Sequence, residues 1–128
     1  MVAGRPSREL SASEQGALRD LLTDERASTL ATIATLASTW DDIVASSADV
    51  ATDDEHDPDG ATIAFERAHV QSLLDQARTR LDDLDHALDR LTSGVYGICT
   101  HCGNPIPLDR LRARPAATTC VACAPRTR

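Results

Sequence analysis

Apolar residues recur through the second half of the chain at Val70, Leu74, Ala77, Leu81, Leu84, Leu88 and Leu91, in steps of 4, 3, 4, 3, 4 and 3. This is a heptad seam, and it predicts a long helix whose narrow apolar stripe meets one partner helix. Asp75, Arg78, Arg80, Asp82, Asp83, Asp85 and Arg90 fall off the seam and are expected to meet water. Upstream, Leu18, Leu22, Leu30, Ile33, Ala37, Trp40 and Val44 mark a second stripe, with Trp40 as an apolar anchor. Ser11 and Glu14 have the spacing of a capping box and place the start of this first helix. The Thr- and Ser-rich stretch from Ala27 to Ser47 has modest helix propensity, so its helix is expected to depend on its partner.

Between the two stripes lies Asp53-Asp54-Glu55-His56-Asp57-Pro58-Asp59-Gly60-Ala61. Pro58 and Gly60 are expected to break the helix, with Asp59 or Thr62 capping the returning one. Two long helices joined by a short polar link make an antiparallel hairpin. Arms of about 30 to 40 residues predict a rod on the order of 45 to 60 Å, at 1.5 Å per residue. The five carboxylates of the link exceed what complementing a helix dipole requires. They suit approach to a basic channel or a bound divalent ion, although their spacing does not match a calcium loop.

Composition supports elongated helices over a thick core. One Phe, one Tyr, one Trp and one Met leave alanine and small aliphatics to supply most of the 41% apolar content. All thirteen basic residues are arginine. Residues 1–94 carry 19 acids against 8 Arg, a balance of −11, whereas 95–128 carry 5 Arg against Asp109, a balance of +4; together they make the net −7. An acidic body disfavours broad nucleic-acid binding. Met1 to Leu10 is charged and has no apolar run, and no stretch reaches the ~20 apolar residues of a membrane span. A cytoplasmic location is expected.

The chemistry is concentrated near the C-terminus, in Cys99-Thr-His-Cys102 and Cys120-Val-Ala-Cys123, with seventeen residues between the pairs. Two Cys-x-x-Cys knuckles at this spacing predict one tetrahedral four-thiolate site, with a short turn and ribbon bringing the second knuckle to the first. A disulfide framework, a redox dithiol and iron are the competing readings. One structural zinc is preferred, and its closed shell leaves no position for catalysis. His101 lies inside the first knuckle but is expected to face solvent, because four thiols complete the shell. His69 and His86 are expected at the surface. Arg110, Arg112 and Arg114 alternate along the intervening stretch and suit a phosphate or acidic protein surface, or shielding of the thiolates. Gly94 is placed to end the second helix in a left-handed cap.

Tyr96-Gly97-Ile98-Cys99-Thr100-His101-Cys102-Gly103, followed by Ile106, Arg110-Leu111, Ala113, Pro115 and Cys120-Val121-Ala122-Cys123, resembles the DksA/TraR family of bacterial transcription regulators. In that family the finger follows directly from a coiled-coil hairpin, as it does here. The resemblance implies direct binding to RNA polymerase, insertion of the hairpin into the secondary channel, and a tip that acts near the catalytic centre on initiation. The tip motif of the better-known members is Asp-x-x-Asp-x-Ala. Asp59 and Ala61 fall on its second acid and its alanine, His56 stands where the first acid is expected, and Asp57 lies one residue away. The alarmone response of some members is not carried over, since this chain has no lysine and Ala124 directly follows the last cysteine.

The expected fold is therefore mainly α, a long antiparallel coiled-coil helical hairpin followed by a small four-cysteine zinc finger. Residues 1–10 are expected as a flexible N-terminal segment, 11–94 as the hairpin with its acidic tip at 53–61, 95–124 as the finger and 125–128 as a tail. Cys99, Cys102, Cys120 and Cys123 are the expected zinc ligands; Asp57, Asp59 and Ala61 the polymerase-directed tip; Arg110, Arg112 and Arg114 further polymerase contacts. The alternative is a non-enzymatic, zinc-stabilised protein-protein interaction or oligomerisation module. Sequence-specific DNA binding ranks lower, and an enzyme lowest, because no nucleophile, base and orienting group form a set.

Overall fold

The computed structural model describes residues 9–49 and 58–125, and the side chains of 47–49 and 58–59 stand outside the description. Three helices follow in order: α1 (Ala12–Asp49), α2 (Pro58–Ser93) and α3 (Leu108–Ala113). Two compact units are present, one comprising Met1–Arg26 with Asp82–Arg128 and the other Ala27–Leu81. In each the two long helices run antiparallel: Arg26 meets Asp85 in the first, and Arg67 meets Trp40 in the second.

The start of α1 follows from its first residues. Ser11 Oγ accepts the Glu14 backbone N–H at 3.0 Å while the Glu14 carboxylate accepts the Ser11 N–H at 2.9 Å. This reciprocal pair satisfies amides that a helix start otherwise leaves without partners. α2 starts earlier than Pro58 and Gly60 suggest as helix breakers, for both lie within its first turn. Proline is tolerated there because its φ is already helical and its missing N–H would have had no intrahelical acceptor. Thr62 is therefore inside the helix and is not its cap.

α2 ends as Gly94 predicts. Gly94 takes φ +82, its N–H reaches Leu91 O at 3.2 Å, and the Val95 N–H reaches Arg90 O at 3.0 Å. These two bonds make a Schellman motif, whose left-handed residue glycine adopts without steric penalty.

One apolar cluster fills the first unit. Leu18 and Leu22 of α1 and Leu84, Ala87 and Leu91 of α2 are buried together with Tyr96, Cys99, Ile106 and Leu111. Leu10, Leu21, Leu88 and Leu108 pack around them. The segment beyond α2 thus shares its core with the ends of both long helices. In the second unit Val70 and Leu74 are buried, and Ile33, Leu36, Trp40 and Ile43 are half-buried.

The seam of α2 runs as its heptads predict, with buried Ala87 beside it. That of α1 is offset from the expectation: after Leu22 a line of covered positions runs through Arg26, Thr29, Ile33, Leu36, Trp40 and Ile43, again in alternating steps of four and three, with Glu25 half-buried beside Arg26. Leu30 and Val44, assigned to the seam from their apolarity, are each 41% exposed. Ala37 is half-buried beside Leu36. The offset arises because two seam positions are polar. Arg26 Nε donates to Asp85 Oδ1 across the helices, so Asp85 is held in an ion pair and does not simply face water. Trp40 is covered on one face by the Arg67 guanidinium, 5.4 Å from the ring centroid, within cation–π range. His69, His86 and His101 are exposed, as expected.

Candidate metal centre

The two knuckles are assembled by backbone hydrogen bonds. After Tyr96, Gly97 at φ +84 turns the chain; a Cβ there would press within 3.3 Å of Leu10 Cδ1 and 3.4 Å of Leu111 Cδ1. Ile98 and Pro105 form an isolated antiparallel bridge, with Ile106 N–H to Gly97 O at 2.7 Å and Cys99 N–H to Asn104 O at 2.8 Å. Gly103, at φ +78, closes the first knuckle through its N–H to Cys99 O at 2.9 Å. The expected ribbon is thus a single bridge, and the helical part of the path to the second knuckle is α3. Pro107 stands at its N-cap, and Leu111, fully buried, faces the core. A six-residue helix buries an apolar residue here, whereas a lone two-stranded ribbon is marginal in water.

Thr100 N–H binds Thr118 O at 2.8 Å and ties the second knuckle to the first. Pro115, which begins this return, is fixed by the buried Tyr96 hydroxyl, which donates to Pro115 O at 2.8 Å. The sulfurs of Cys99, Cys102, Cys120 and Cys123 all lie within 4.8 Å of one another. Zn–S bonds of about 2.3 Å in a tetrahedron set S–S edges of about 3.8 Å. Cys102 and Cys120 are already separated by 3.8 Å.

The donor set also has the electrostatics of a cation site. Cys99 accepts the N–H groups of His101 and Cys102, each at 3.4 Å, and the Cys102 N–H foremost draws its thiol down to about 6. Burial foremost, together with the adjoining sulfurs of Cys120, Cys102 and Cys99, pushes Cys123 up to about 12. Four thiolates this close repel one another unless a cation sits among them, and a soft divalent ion with a tetrahedral shell removes the conflict. The centre fits one structural zinc held by Cys99, Cys102, Cys120 and Cys123. All four ligand positions belong to the protein, so the ion's chemistry is to cross-link.

Of the three arginines on α3 and its edge, Arg112 and Arg114 are exposed. Arg112 comes within 4.0 Å of Asp109 in a solvent-facing pair. Arg110 is half-buried, and its Nε donates to Thr119 O at 2.8 Å. Arg90, expected at water, is half-buried too, and its Nη2 donates to Ile98 O at 2.8 Å and Val95 O at 3.3 Å. Sequence patterns carry no signal for these two roles, because a carbonyl acceptor has no residue identity. Ala61 is exposed on the first turn of α2, and Asp59 belongs to the same turn with its side chain undescribed. Asp53, Asp54, Glu55, His56 and Asp57 lie outside the described residues.

Two long packed helices and a four-cysteine centre joined to their core through buried Cys99 define a helical-hairpin protein with one C4 metal site. Residues 94–127 match the prokaryotic dksA/traR C4-type zinc finger. The chain is 41% identical over 63 residues to the RNA polymerase-binding transcription factor DksA of Caulobacter vibrioides, covering 49% of this chain and 44% of that protein. It is 42% identical over 66 residues to the protein YteA of Bacillus subtilis, covering 52% of this chain and 28% of that protein. These matches span less than half the length of either relative. The structure of the transcription factor DksA2 from Pseudomonas aeruginosa superposes with a TM-score of 0.75 at 33% identity, covering 88% of this chain and 81% of that one. The chain belongs to the DksA/TraR family of C4-type zinc-finger proteins.

Proposed function

We propose that this chain is a transcription regulator that binds RNA polymerase directly, the end of its hairpin at 53–61 entering the secondary channel to alter initiation. The observation that carries this reading is the extent of the likeness to DksA2, which covers 88% of the chain and so takes in the helices as well as the finger. Asp57, Asp59 and Ala61 act at the tip. Arg112 and Arg114, exposed beside the metal centre, meet the polymerase rim; Arg110 joins them only through donors left over after its bond to Thr119. The zinc has a structural role, the protein performs no catalysis of its own, and it works in the cytoplasm. Among the described residues no helix is long and apolar enough to cross a membrane.

The test is co-purification with core RNA polymerase, followed by initiation assays with Asp59→Asn and Ala61→Thr. Both variants are expected to retain polymerase binding while losing most of the effect on initiation. Wild-type protein that neither binds polymerase nor competes for its nucleotide-entry channel overturns the proposal.

A further inference from the structure

Each knuckle is preceded by one residue whose carbonyl is gripped by a guanidinium from elsewhere in the chain. Ile98 O, directly before Cys99, accepts Arg90 Nη2 at 2.8 Å. Thr119 O, directly before Cys120, accepts Arg110 Nε at 2.8 Å. Arg90 is rooted in the last turns of α2, where its own carbonyl accepts the Val95 and Tyr96 N–H groups at 3.0 and 3.1 Å. Arg110 is rooted in α3, whose Leu111 is fully buried. Each anchor therefore sits on a helix held by the core, and each acceptor is one peptide away from a metal ligand.

We propose that Arg90 and Arg110 are positioning residues for the metal centre, which hold the two knuckles at ligating distance and so set how tightly and how long zinc is retained. The physical reason is preorganisation. A tetrathiolate site captures metal at the cost of ordering four side chains and the two loops that carry them, and loops already pinned lose less freedom on binding. Release requires a knuckle to swing away, and a charge-assisted bond to the peptide before its first cysteine opposes that swing. The same two charges offset the net negative charge of four thiolates around a divalent ion. Arg110 thereby serves the metal through its Nε, whatever its remaining donors meet.

The inference rests on the zinc assignment, so the zinc content of the purified full-length protein is measured first; absence of stoichiometric zinc removes the centre and the inference together. Zinc transfer to the chromophoric chelator 4-(2-pyridylazo)resorcinol is then timed for wild type, Arg90→Ala, Arg110→Ala, Arg110→Lys and Arg19→Ala, with helicity followed by circular dichroism. Removing partners just outside a metal shell commonly weakens metal retention about 10- to 100-fold. Arg90→Ala and Arg110→Ala are expected to release zinc at least about tenfold faster with helicity intact before release. Arg110→Lys, which keeps the charge and loses the Nε donor, is expected to fall between them and wild type. Arg19→Ala removes an equal charge from an exposed position of α1 and is expected to match wild type. Where an alanine variant does not fold, the lysine variant carries the test alone. Release from Arg110→Lys at the wild-type rate, or equal acceleration by Arg19→Ala, overturns the proposal, since charge alone would then account for retention.

Discussion

Tyr96 concentrates several consequences in one side chain. It is the sole tyrosine, buried, and its hydroxyl donates to Pro115 O at 2.8 Å on the return to the second knuckle. Burial lifts its ionisation to about 12, against the smaller pull of the Arg90 charge. An unfolded tyrosine ionises near 10, so between pH 10 and 12 the unfolded chain releases a proton that the folded one keeps, and stability falls with rising pH. Below pH 10 this contribution is fully present. Phenolate absorbance near 295 nm is expected to stay low at pH 10 to 11 and then rise in step with loss of helical circular dichroism. Tyr96→Phe should cost about 1 kcal/mol, the usual net worth of one hydrogen bond, read as a lower melting temperature.

At the scale of elements, hydrogen bonds mark the helix ends and burial marks the seam. Ser11→Ala removes one half of the capping box and is expected to lower stability by about 1 kcal/mol, measurable by chemical denaturation. The seam assignment makes a sharper contrast. Leu22 and Leu84 are fully buried, whereas Leu30 is 41% exposed. Leu22→Ala and Leu84→Ala should each cost roughly 2–5 kcal/mol. Leu30→Ala should stay within about 1 kcal/mol, as is usual away from a packed core. Equal costs at Leu22 and Leu30 would restore the seam that apolarity alone suggests. The Arg26–Asp85 pair is partly solvated, with side chains 39% and 42% exposed, so it contributes at most about 1 kcal/mol and less in high salt.

For the molecule as a whole, metal and core are one stabilising system. Cys99 lies within the buried cluster that includes Leu18, Leu22, Leu84 and Leu91, and Cys120 and Cys123 pack against it. Zinc removal therefore withdraws a cross-link from the core of α1 and α2 as well as from the finger. After chelation, amide hydrogen exchange is expected to accelerate across 12–26 and 82–124, including the ends of both long helices. Unchanged protection there, with loss confined to 95–124, would mean that the finger is energetically separate. Acid should have the same effect as chelation, because the ligands must be deprotonated to bind.

Much of this was legible in the chain. The heptads of α2, the Ser11–Glu14 cap, the Gly94 stop and the paired cysteines are local patterns, and local patterns act through steric and hydrogen-bonding rules that span a few residues. The line of α1's inner face was not legible, because Arg26 and Thr29 occupy it and polar residues do not announce burial; only the partner helix, presenting Asp85, makes an arginine acceptable there. Pro58 carried two meanings, breaker or first helical residue, and the structure has the second, with Pro58 opening α2. The structure alone assigned Arg90 and Arg110 to the carbonyls before the knuckles and merged the metal centre with the helical core. Those contacts join residues brought together by folding, and their acceptors are backbone atoms that every residue possesses.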